Sequence, residues 1–210
     1  VAGASPIFGS RFSKTVFASY LLLVPPTSLY HMFLEPGLAD AVRVGGSLLS
    51  LFISVPTVLM FLSLIAALEA SARRASDRGR LDWLQRLPWG HPAFASLAAS
   101  VLNLAFGGVF AFVLIQERLA PLLRDTFFVP GYFHFLTVGT VTLTFLAALM
   151  LMLPALSGGG LWRPALLAKM PSVTTAGLLL FGGAGIAAGF LGAPRRVMDA
   201  SYGGEAPAVW

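Results

Sequence analysis

Five stretches of this 210-residue chain carry no Asp, Glu, Lys or Arg: residues 15–34, 44–68, 87–116, 126–162 and 170–194. Each reaches the ~20 residues that a helix needs to cross ~30 Å of hydrocarbon. Inside a bilayer the backbone must satisfy its own polar groups, which favours helices over open strands. Composition agrees, with 57% apolar and 11% charged residues, where a soluble domain would carry ~25% charged. The prediction is an all-α, polytopic membrane helix bundle, a single transmembrane domain over residues 1–210. Its five transmembrane helices are expected at about 15–33, 45–68, 92–116, 133–155 and 172–193.

Basic residues set the orientation, because Lys and Arg in short loops stay on the cytoplasmic side. With the N-terminus inside, that side holds Arg11, Lys14, Arg73, Arg74, Arg78, Arg80, Arg86, Arg163 and Lys169, and the other holds Arg43, Arg118, Arg124, Arg195 and Arg196. Nine against five predicts N-terminus in and C-terminus out. The net charge of +5 reads as this bias, since no aromatic–basic interleaving suggests nucleic acid. The absence of cysteine excludes thiolate metal sites and cysteine nucleophiles. The chain begins Val1-Ala2-Gly3, without Met or a signal-peptide pattern. A processed chain, a fragment and the ordered part of something longer are all open.

Several features read as packing. Ser47, Ser50, Ser54 and Thr57 form one helical stripe, best explained by bonds back to carbonyls a turn earlier, with a proton or water path as the sharper alternative. Asn103 and Gly107-Gly108 suggest a helix contact with one polar bond. Gly185 and Gly189 form a Gly-x-x-x-Gly pair that lets backbones approach closely. Pro25-Pro26 should bend the first helix. Residues 71–91 read as a loop, with Trp83 and Trp89 suited to the interface and His91 solvated or capping. No buried acid or inverted repeat supports a transporter, and no nucleophile elbow supports a hydrolase.

Two of the three histidines lie where a helix end meets apolar surroundings, and an ionisable group at membrane depth is a functional hypothesis by default. His31 follows Tyr30. His134 stands two residues after Tyr132, so the two side chains point about 200° apart on a helix. Arg195-Arg196 follow the fifth helix on the same side. They read either as snorkelling cations or as partners for carboxylates such as haem propionates.

The runs SLYHMFLEPG, LPWGHPAF, VPGYFHFLTVGTVTLTF and GAPRRVMDASYG, in this order and spacing, resemble the C-terminal half of subunit I of haem-copper oxidases, closest to the B-type branch. The likeness runs from Arg11 to Tyr202 and would correspond to family helices seven to eleven. The family's adjacent pair of copper-binding histidines reads here Tyr30-His31. That leaves His31 as a residual copper-ligand position, expected to be unoccupied. The family's His-Phe-His reads Tyr132-Phe133-His134. The resemblance implies that the low-spin haem ligand survives as His134, while the proximal ligand of the high-spin haem is replaced by Tyr132. Arg195 and Arg196 match the arginines directed at haem propionates.

Both departures fall on the binuclear centre, so a degenerate centre without oxygen reduction or proton pumping is expected. Phenolate can ligate ferric haem, which leaves Tyr132 some capacity as an axial ligand. The expected function is a membrane subunit of a respiratory electron-transfer complex, part of an oxidoreductase. The expected cofactor is a low-spin haem, b- or a-type, shared with another chain; copper and high-spin haem are expected to be absent. Implied partners are other membrane subunits supplying the missing helices and second haem ligand, a cytochrome c or cupredoxin-type donor domain, and the lipid bilayer, in a prokaryotic cytoplasmic membrane. Two alternatives stand beside this reading: an active terminal oxidase subunit with an altered centre, and a structural membrane subunit with no cofactor.

Overall fold

The computed structural model describes residues 7–27, 37–73, 81–116 and 118–195. Among these, the chain is all-α. Helix α1 (Gly9–Thr27) runs through Pro25-Pro26. It begins six residues before its expected start at 15, and the end of that expected span, to 33, lies outside the described residues. Among the described residues four helices, not the expected five, are long and apolar enough to cross a membrane: Asp40–Arg73, Pro92–Leu114, Phe128–Ser157 and Pro164–Phe190; α1 is not among them.

The expected second helix, 45–68, is longer than its apolar window and is interrupted. It divides into α2 (Asp40–Phe52) and α3 (Ser54–Arg73) around Ile53. Pro56 explains the break, because it has no N–H for the carbonyl four residues earlier, at Phe52. Charge pairs carry the helix beyond the window at both ends: Arg43 to Asp40 at 2.6 Å and Arg73 to Glu69 at 2.7 Å. Two hydroxyls of the serine–threonine stripe donate back within the segment, Ser50 to the Gly46 carbonyl and Thr57 to that of Ile53, both at 2.9 Å.

A short turn, α4 (Asp82–Gln85), then leads into α5 (Pro92–Leu114), whose N-cap residue is His91. The His91 side chain makes no capping bond. Trp83, expected at the interface, is instead buried with Leu87 and Phe94. The indole N–H of Trp89 donates to the Leu84 carbonyl at 2.6 Å and tightens the turn.

The fourth helix begins earlier than expected, at Phe128 rather than 133. After the turn α6 (Ala120–Leu123), it runs as α7 (Phe128–His134), a π-helical segment (Phe135–Thr142) and α8 (Leu143–Ser157). Pro130 lies in the first turn of this helix, where a missing N–H costs nothing. His134 therefore does not open the helix; it is the last residue before the π segment. In that segment side chains follow the wider register, with Thr140 donating to Phe135 and Thr142 to Thr137, each five residues back at 3.1 Å. Gly158, at φ 65°, ends α8.

After the turn α9 (Pro164–Leu167), α10 (Met170–Phe190) returns against α7 and α5. The α7–α10 crossing is built on glycine: a Cβ on Gly131 would lie 2.6 Å from the Ile186 nitrogen, and one on Gly189 would overlap Phe128. The core sits on this seam, where Phe128, Tyr132, Phe135, Leu178 and Ile186 pack together. Outward-facing residues such as Leu156 and Leu180 are exposed, as lipid-facing side chains of a bundle should be.

Candidate functional site

Tyr132 and His134 share α7 and diverge as their spacing predicts. Tyr132 is 3% exposed within the core, against the rings of Phe128 and Phe133. His134 is half-buried, and its ring meets Phe181 of α10 edge-on at 4.9 Å between centroids. Its Nδ1 lies against the carbonyl oxygen of Pro130, one turn back. A carbonyl only accepts, so Nδ1 is the donor in this contact, and in a neutral ring Nε2 is then the nitrogen with the lone pair. A histidine held in this way is prepared to bind a metal through Nε2.

The end of α10 is fastened to the loop before α7. Phe127 N–H donates to the Ala193 carbonyl at 2.8 Å, and Arg195 N–H donates to the Asp125 carbonyl at 2.9 Å. The Arg195 side chain is 22% exposed; its guanidinium lies 3.8 Å from the Asp125 carboxylate, and its buried Nε has no partner among the described residues. A guanidinium carries five donors, and this one leaves its Nε–H without an acceptor among the described residues. Asp125 also approaches Arg124, at 3.3 Å.

The structure thus brings His134 together with Phe181 and Pro130, and Arg195 with Asp125. Tyr30, His31 and Arg196 lie outside the described residues. Sequence reasoning missed Asp125 and Phe181. Asp125 carried a signal, as the acid at the edge of the window that begins at residue 126. Phe181 carried none, being one apolar residue among many.

A helix bundle with this hydropathy and these spans defines an integral membrane subunit. The chain belongs to the cytochrome c and quinol oxidase polypeptide I family, whose sequence model matches residues 1–210. It is similar to cytochrome c oxidase subunit 1 of Thermus thermophilus, with 33% identity over 146 residues, 70% of this chain and 26% of that protein. It is also similar to haem-copper oxidase subunit I+III of Aeropyrum pernix, with 28% identity over 153 residues, 73% of this chain and 17% of that one. Among solved structures, a chain of a haem-copper terminal oxidase dimer superposes with a TM-score of 0.83 at 23% identity, covering 90% of this chain and 34% of that one. This last likeness shows the fold alone. The chain spans about a quarter of the length of the Thermus relative and a third of the superposed oxidase chain.

Proposed function

We propose that the chain is a membrane subunit of a respiratory electron-transfer complex in which His134 supplies one axial ligand of a low-spin haem, b- or a-type, while the oxygen-reducing centre is degenerate. The observation that carries this reading is the contact of His134 Nδ1 with the Pro130 carbonyl, which occupies Nδ1 as a donor and leaves Nε2 as the nitrogen for iron, with the ring set edge-on against Phe181. The Nε of Arg195, without a partner among the described residues, supports it independently, since a guanidinium pairs well with a carboxylate such as a haem propionate. Arg196 is proposed to act beside it. A bis-histidine haem supplies a one-electron relay whose potential follows burial and nearby charge.

The second axial ligand is proposed to come from another chain or from sequence beyond this one, in keeping with the fraction of its relatives that the chain spans. Those partners would be membrane subunits of the complex, with a cytochrome c or cupredoxin-type domain as donor. The proposed setting is a prokaryotic cytoplasmic membrane, N-terminus in. Tyr30 and Tyr132 stand where the resemblance places a copper ligand and the high-spin haem ligand. Tyr132 is packed into the core beside Phe128, Phe135 and Ile186. Copper and high-spin haem are therefore proposed to be absent, with His31 left as an unused ligand.

The test is a reduced-minus-oxidised spectrum of the purified complex. A low-spin band that is lost in His134→Ala supports the reading. A band that survives, or copper together with a carbon-monoxide-reactive haem, overturns it.

A further inference from the structure

Further along the helix from His134 lies a buried polar knot that touches both elements that frame the histidine. Asn103 of α5 is 0% exposed. Its amide donates to the Ala99 carbonyl in its own helix and across to the Thr175 hydroxyl of α10, both at 2.8 Å. Its other face meets the π segment at Gly139, where an added Cβ would lie 2.5 Å from the Asn103 Cβ and 2.8 Å from its Oδ1. One residue further on, the Thr140 hydroxyl reaches back to the Ser100 carbonyl at 3.4 Å. Three helices therefore meet at one side chain.

Two of these contacts lead to His134. Gly139 lies five residues beyond it on the same continuous helix, inside the π segment. Thr175 lies six residues, about 9 Å, from Phe181, whose ring meets the imidazole. A π segment is rare, occurs mostly as a short bulge inside an α-helix and is frequent at functional sites, so its surroundings are expected to hold it. The glycine at 139 and the asparagine facing it meet that requirement, since only a residue without Cβ lets the widened turn sit on Asn103.

We infer that Asn103 is a positioning residue for His134: by joining α5 to Thr175 and seating the π segment at Gly139, it fixes both the helix that carries the imidazole and the ring it rests on. This rests on the axial-ligand reading above. Losing the pin leaves His134 in place but changes the angle of its ring, which an assembled haem reports.

The experiment measures the low-spin electron paramagnetic resonance signal and the haem reduction potential in the intact complex. Thr175→Val removes the acceptor at nearly constant volume, and Thr175→Ser restores it. Asn103→Leu and Gly139→Ala disturb the same knot from its other sides. The expected result is an unchanged haem content with a shifted signal and potential in Thr175→Val, and wild-type values in Thr175→Ser. Should Asn103→Leu fail to assemble, the threonine pair still decides the matter. A Thr175→Val signal identical to wild type overturns the positioning role while leaving the axial ligand intact. A wild-type complex without a His134-dependent low-spin haem overturns both.

Discussion

The two sides of this bundle solve the same problem differently. In the span Asp40–Arg73, 11% of the most apolar window is buried, against 28% in Pro164–Phe190. Around α10, glycines let backbones touch and Asn103 bonds across helices. Along α2 and α3, Ser50, Thr57 and Ser63 bond only to their own helix. A wide apolar cleft of ≈ 1170 Å³, lined by Phe61, Leu68, Phe94, Ala147 and Leu179 among others, separates α3 from the tight side. Lipid is as apolar as leucine, so greasiness alone brings no two helices together; small residues and cross-helix bonds do. The α7–α10 side has both.

The sharpest way to break this contrast is a pair of glycine substitutions. Gly189→Leu should abolish accumulation of the subunit in membranes, because the new side chain meets Phe128 backbone and the cost lies at or above the ~3 kcal/mol end of overpacking. Gly45→Leu, with nothing within 4 Å of its Cβ, should accumulate as wild type. Equal yields of the two would erase the distinction.

His134→Ala comes next, with an expected loss of the low-spin band at unchanged subunit content. Arg195→Gln should act in the same direction but less. Removing a cation beside the haem favours the ferric form, so redox titration should find a lowered potential with the haem retained. The smallest effect belongs to Ser50→Ala. Its hydroxyl serves its own helix, and a thermal unfolding assay should register less than ~1 kcal/mol.

Much of this was legible in the amino-acid order. Four of the five charge-free windows coincide with helices long and apolar enough to span, because hydrocarbon thickness is a fixed ruler. Gly185-x-x-x-Gly189 and Asn103 announced the contacts they make, since their chemistry has few other uses in a membrane. The break at Ile53 was legible too, through Pro56, but charge counting does not register a missing N–H. The start of α7 was misplaced because Pro-Gly signals a boundary in general and a first helical turn only in context. The π segment left no trace in periodicity: Gly139 and Thr140 look ordinary until Asn103, 36 positions earlier, is found against them. The Phe181–His134 contact is of the same kind, a product of the fold across 47 positions.

The widened turns after His134 also alter how this helix can be copied. A π segment takes up more residues per turn than the α-helices on either side, so the stripes above and below it are out of phase. Transplanting α7 through α8 onto an idealised straight helix, or trimming a residue to regularise it, would swing the imidazole around the axis while every neighbour in the chain stayed the same. Any minimal peptide drawn from this region to keep the imidazole in its present direction must carry the irregularity with it.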